Sequence, residues 1–115
     1  MNIPFSPPDI TEEEIEAVAE VMRSGWITTG PKTKELERKM AEFTHTNRGV
    51  CLNSATSCME MALRLFEIGP GDEVIVPAYT YTASASVVCH VGATLRLVDV
   101  EKGTFHIDYA AVESM

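Results

Sequence analysis

Lysine is scarce in this chain. It has four in 115 residues, and none lies between Lys39 and Lys102. Chemistry that needs an amine nucleophile is therefore confined to Lys32, Lys34, Lys39 and Lys102. Positive charge is short overall: nine Lys and Arg against seventeen Asp and Glu give a formal net charge of −8. Nucleic acid recognition rests on a basic surface, so that class of partner is excluded, and an anionic membrane surface is disfavoured by the same sign. No apolar run approaches the ~18 residues of a membrane span. The amino-terminal Met-Asn-Ile-Pro-Phe-Ser-Pro-Pro has no basic segment ahead of an apolar one, so no signal peptide is expected. Cysteine is limited to Cys51, Cys58 and Cys89, an odd number without CxxC spacing, which excludes a disulfide frame and a zinc ribbon. Cys51 and Cys89 lie in apolar stretches and read as reduced core residues of a cytoplasmic protein. GxGxxG, GxxxxGK[ST] and GxSxG are all missing, against a dinucleotide fold, a nucleotide triphosphatase and a serine hydrolase. His45, His90 and His106 stand apart, without metal-ligand spacing, and read as surface or packing residues.

What is present is an α/β pattern. Hydrophobic content of 45% and charged content of 23% are ordinary for one small globular domain. After a proline-rich start, Thr11 and Glu14 form a capping box. Ile15, Val18, Ala19 and Met22 then repeat at helical spacing as one buried stripe, and Gly25 ends the helix. Trp26 to Pro31 reads as a loop. A second helix is expected from Thr33 to Thr44, with Leu36, Met40 and Phe43 on one face. Gly49 to Leu52 reads as a short strand. Ser57 to Glu67 reads as a helix apolar almost all round, hence buried on more than one side. Gly69-Pro70-Gly71-Asp72 is a turn, Glu73 to Val76 a strand covered on both faces, and Thr82 to Val91 a helix of small residues. A strand from Thr94 to Val100, an extended piece at Phe105 to Ile107 and a helical start at Tyr109 to Ser114 complete the order. Alternating strands and helices imply a parallel sheet with right-handed crossovers.

Asn53-Ser54-Ala55-Thr56 falls where a strand turns into a helix. Backbone N–H groups without partners and the positive end of the helix dipole make such a corner an anion cradle, and the Ser54 and Thr56 hydroxyls add donors. Taken by itself, the pattern is also that of an ordinary N-cap. Tyr79 and Tyr81 follow a strand at its carboxyl end, where open α/β sheets carry ligands and where an aromatic ring can stack on a planar one. Asp99 reads as a buried carboxylate capping a turn.

Five motifs in order, Ile3-Pro4-Phe5, Ser24 to Pro31, Asn53 to Thr56, Gly69 to Pro77, and Gly92-Ala93-Thr94 with Val98-Asp99-Val100, resemble the amino-terminal part of the DegT/DnrJ/EryC1/StrS sugar aminotransferases. The resemblance covers essentially the whole chain. It implies part of the large domain of the aspartate aminotransferase-like fold (fold type I), three-layer α/β/α and truncated. Residues 1–31 would form an amino-terminal helix with a substrate and dimer loop, and residues 32–115 the first part of the cofactor domain. The implied cofactor is pyridoxal 5'-phosphate. Ser54, Ala55 and Thr56 would hold its phosphate and Tyr81 would stack on its ring. Trp26, Thr28, Thr29 and Gly30 would approach a nucleotide-sugar substrate near a homodimer interface. Glutamate would be the amino donor. Ser57, Cys58 and Glu60 depart from the small or apolar residues and the histidine common at those positions. None of the four lysines matches the family's Schiff-base lysine, so no catalytic residue is expected within the chain and a truncated remnant or subunit-pairing module is the alternative. A dehydratase branch of the same family is a further one.

Overall fold

The computed structural model describes residues 3 and 6–115, and the chain divides into two compact units, residues 1–51 and residues 52–115.

The first unit holds two helices. Helix α1 spans Glu12–Ser24, with Thr11 as N-cap, the Glu14 carboxylate accepting from the Thr11 backbone N–H at 2.6 Å, and Gly25 as a left-handed C-cap at φ 72°. Helix α2 spans Pro31–Phe43. It starts two residues ahead of the expected Thr33, because proline fits the first helical position, where its missing N–H has no intrahelical partner anyway. The expected buried stripes are open instead: Ile15, Val18, Met22, Leu36, Met40 and Phe43 are all exposed. Their spacing is amphipathic, but no described residue covers those faces.

The second unit is a small α/β assembly. Helix α3 spans Ala55–Leu65, strand β1 Glu73–Pro77, helix α4 Ala83–His90, strand β2 Thr94–Val98 and helix α5 Tyr109–Glu113. Strands β1 and β2 pair in parallel, with Val74 opposite Leu95 and Val76 opposite Leu97, and α4 is the crossover between them. Val76, Val88, Val91 and Ala93 form the core, with Leu63, Ile68, Val74 and Leu95 packed on it. The small residues of α4 allow that close seat: Ala83, Val87 and Val88 are buried.

Several expectations do not hold. Gly49 to Leu52 is not a strand, since among the described residues β1 and β2 pair only with each other, and the Cys51 N–H donates to Glu37 Oε1 at 3.0 Å. A ladder needs a neighbour, and this segment has none. Helix α3 begins and ends two residues earlier than its apolar run, because Ser54 caps it. None of its residues is buried, and Met61 and Leu65 are exposed. Strand β1 is covered on one face only, since Ile75 is exposed. The ladder of β2 stops at Val98, after which Val100 makes a single antiparallel bridge with Ile107. Cys89 is exposed rather than in the core, on the outer side of α4, and Cys58 is exposed too. Asp99 is likewise exposed: its carboxylate accepts from the next backbone N–H, Val100 N, at 2.8 Å.

Candidate functional site

The first turn of α3 is built from three side chains, those of Asn53, Ser54 and Ser57, that leave two backbone donors free. Ser54 is the N-cap, in extended conformation, and its hydroxyl accepts from the Ser57 N–H at 3.1 Å. Ser57 Oγ donates to Asn53 Oδ1 at 2.7 Å and lies 3.0 Å from Ser54 Oγ. A hydroxyl has one proton. Ser57 gives its proton to the carboxamide oxygen, so the Ser54–Ser57 contact is made by the Ser54 proton. The Ser54 proton is thereby engaged inside the turn and is not free to donate elsewhere.

Cys58 N donates to Ser54 O at 3.1 Å, the first bond of the helix proper. That leaves the N–H groups of Ala55 and Thr56 and the Thr56 hydroxyl, for which no acceptor exists among the described residues. Two adjacent unpaired N–H groups at the positive end of a helix, beside a methyl side chain and a hydroxyl, fit a phosphate monoester. Asn53 and Ser57 were not singled out as functional from sequence. Their part is visible only once the turn brings them within hydrogen-bonding distance.

Tyr81 follows β1 in the same unit. It is 81% exposed, and its carbonyl accepts from Ser84 N at 2.9 Å as the chain turns into α4. Its ring has no aromatic neighbour among the described residues, whereas Tyr79 stacks on Phe105 with centroids 5.0 Å apart and planes at 23°. Tyr79 is thus occupied by a neighbour from the loop after β2, and Tyr81 offers both faces.

In the first unit, the Trp26 to Gly30 loop is closed on itself. The indole Nε1 of Trp26 donates to Thr29 O at 3.0 Å. The ring lies over Gly30, where a Cβ would come within 2.2 Å of Trp26 Cδ1. Only a residue without a side chain fits under that ring. The loop, together with Glu20, Val21, Ser24, Lys32 and Thr33, borders a cleft of about 440 Å³ that also takes in Thr28, Gly30 and Pro31. Lys32 Nζ and Glu20 Oε2 face each other across 3.8 Å at this cleft. No group of three or more metal-ligating side chains exists among the described residues. No helix among them is long and apolar enough to cross a membrane.

The chain is similar to known aminotransferases. The model of the DegT/DnrJ/EryC1/StrS aminotransferase family matches residues 8–115, and the chain belongs to that family. It is 63% identical to "Putative sugar aminotransferase Spr1654 from Streptococcus pneumoniae", solved in apo-, PMP- and PLP-forms, with a TM-score of 0.90, over 99% of this chain and 29% of that one. It is 38% identical to S. venezuelae DesV (TM-score 0.80, 90% of this chain, 28% of that one). It is 34% identical to an aminotransferase from Psychrobacter cryohalolentis (TM-score 0.86, 97% of this chain, 29% of that one). The parallel pair β1–β2 with its crossover helix is therefore part of the fold type I aminotransferase architecture, and the chain spans less than a third of the length of these relatives.

Proposed function

We propose that this chain is the phosphate-gripping part of a pyridoxal 5'-phosphate-dependent sugar aminotransferase. The single observation that carries the reading is the pair of unpartnered N–H groups at Ala55 and Thr56, beside the Thr56 hydroxyl. Family membership and a 63% identical relative solved with PLP and with PMP support it. Ala55 and Thr56 bind the cofactor phosphate through their backbone, and the Thr56 hydroxyl donates a further bond. Ser54 holds the turn rather than the anion. Tyr81, with both ring faces free, packs flat against the pyridine ring. When bound, pyridoxal phosphate supplies an aldehyde and an electron-accepting ring. The chain's own residues anchor and orient it.

The substrate is a nucleotide-linked keto sugar and the amino donor is glutamate, in a cytoplasmic homodimer serving amino-sugar or polysaccharide synthesis. The cleft under the Trp26 loop, with Thr28, Thr29 and Gly30, lies against the nucleotide sugar. None of Lys32, Lys34, Lys39 and Lys102 bonds the cofactor aldehyde, so the 115 residues alone hold the cofactor without a covalent link and do not turn over.

A titration of pyridoxal phosphate into the chain tests the phosphate grip. Thr56→Val is expected to weaken binding roughly ten- to a hundredfold, the cost of one hydrogen bond to a charged group, and Thr56→Ser to retain it. Equal affinity of Thr56→Val and the parent chain would sink the reading.

A further inference from the structure

Strands β1 and β2 run parallel and end side by side, at the paired residues Pro77 and Val98. The segments that leave them start at one edge of the sheet, the edge where open α/β sheets carry ligands. The loop after β1 holds Tyr79 and Tyr81. Ala78 N anchors its root by donating to Val98 O at 2.7 Å, and Ser84 N anchors its far end by donating to Tyr81 O at 2.9 Å. Thr80 Oγ1, between the two tyrosines, lies 3.1 Å from Ser84 Oγ.

The segment after β2 is a braced hairpin. Asp108 N donates to Asp99 O at 3.2 Å, Glu101 N to His106 O at 2.9 Å, and Val100 bridges Ile107. Its tip turns back through Thr104 N to Glu101 O at 3.0 Å, with Gly103 left-handed at φ 83°. The His106 N–H is taken by Thr104 Oγ1 at 3.1 Å. Both neighbours of Phe105 are thus tied down, and its ring is the one that stacks on Tyr79. Neither ring belongs to the core, since Tyr79 is 66% exposed and Phe105 76%. The stack joins two loops.

We propose that Phe105 is a positioning residue for Tyr81: by stacking on Tyr79 it fixes the loop after β1 and keeps the Tyr81 ring set for a planar partner. Packing of the Tyr81 ring itself does not order it, because that ring is almost wholly open. Its order comes from its neighbours. On one side is the Tyr81 carbonyl bond to Ser84, on the other the Tyr79 ring held by Phe105, and only Thr80 intervenes. A loop ordered beforehand loses less conformational entropy when it binds. That the planar partner is the pyridine ring rests on the function proposed above; the hold of Phe105 on the loop does not.

The test titrates pyridoxal phosphate and inorganic phosphate in parallel into the parent chain, Phe105→Leu, Tyr81→Ala and the double variant. Phe105→Leu is expected to weaken pyridoxal phosphate binding about two- to tenfold, the worth of one aromatic pair, and to leave inorganic phosphate unaffected. On top of Tyr81→Ala it is expected to add nothing. Phe105→Tyr, which keeps the ring, regains the parent affinity. Two spectra report what a merely structural role would not move. Induced circular dichroism of the bound cofactor weakens in Phe105→Leu and returns in Phe105→Tyr. Without cofactor, the backbone amide signals of Tyr79 to Tyr81 shift in Phe105→Leu while those of Ala55 and Thr56 stay in place. Equal losses for both ligands, an undiminished effect on top of Tyr81→Ala, or unmoved Tyr81 signals would overturn the positioning role. Thr56→Val separates the two ideas. If it has no effect while the loop signals still move, the cofactor reading fails and the hold of Phe105 on the loop stands. If it abolishes phosphate binding while Phe105→Leu changes nothing, the reverse holds.

Discussion

Ser54 and Ser57 satisfy each other across the first turn of α3: the Ser57 N–H donates to Ser54 Oγ at 3.1 Å, and the two hydroxyl oxygens stand 3.0 Å apart. With the Ser57 proton going to Asn53, this reciprocal contact uses neither of the backbone donors at Ala55 and Thr56. It assigns different jobs to neighbouring hydroxyls that look alike in sequence.

Ser54→Ala therefore acts on stability more than on the anion. It should cost about 1 kcal/mol, the usual worth of an N-cap, in a denaturant titration. Pyridoxal phosphate affinity should fall much less than in Thr56→Val. A Ser54→Ala loss of affinity as large as that of Thr56→Val would show that the Ser54 hydroxyl reaches the ligand.

Thr44 is the matching control. Its hydroxyl donates to Met40 O at 2.8 Å at the end of α2, in the first of the two units. Thr44→Val should leave phosphate affinity within about twofold, whatever it does to α2. Equal affinity losses for Thr44→Val and Thr56→Val in the same titration would remove the corner from consideration.

Gly30→Ala should unseat the indole. A Cβ at that position would lie 2.3 Å from Trp26 Nε1, so the ring must move and lose its bond to Thr29 O. Trp26 is the only tryptophan, which makes its fluorescence a direct reporter. A red-shifted emission is expected, and an unchanged spectrum would contradict the packing described here.

Reduction with borohydride after adding pyridoxal phosphate should give no stoichiometric adduct at any of the four lysines. Scattered, substoichiometric labelling of exposed amines is the expected pattern in peptide mass spectra. A single fully labelled lysine would overturn the expectation that this stretch of chain lacks the group that bonds the aldehyde.

Acid should loosen α1. Bonds from the Thr11 hydroxyl and backbone N–H hold the Glu14 carboxyl below its usual 4.5. A depressed carboxyl contributes stability that is present above its unfolded value and is lost as pH falls through the folded one. Helicity of the parent chain should therefore decline on acidification below about pH 4.5, and Glu14→Gln should flatten that decline. A parent and a Glu14→Gln variant with the same acid profile would rule out the capping box as its origin.

The helices were legible to within two residues, because caps and periodicity are local: Thr11, Gly25 and Ser54 each sit where the backbone changes. The parallel pair and its crossover were legible from the two apolar runs around a small-residue helix. Burial was not. Ile15, Val18 and Met22 repeat as a core stripe yet stand exposed, since a stripe states which face is apolar and not what covers it. Gly49 to Leu52 failed as a strand for the same reason, because pairing is a property of two segments. The Tyr79–Phe105 stack was invisible, as nothing local links residues of two separate loops.

By itself the sequence determined the family, the five helices, the β1–α4–β2 unit and the capped turn at Asn53 to Thr56, all of which are written in short contiguous motifs. Only the tertiary structure decided which donors at that corner are free, that Trp26 lies over Gly30, and that the loop after β1 is tied to the hairpin after β2 through Tyr79 and Phe105. Those facts depend on where a proton or a ring goes once distant side chains meet, and no local pattern encodes such a meeting.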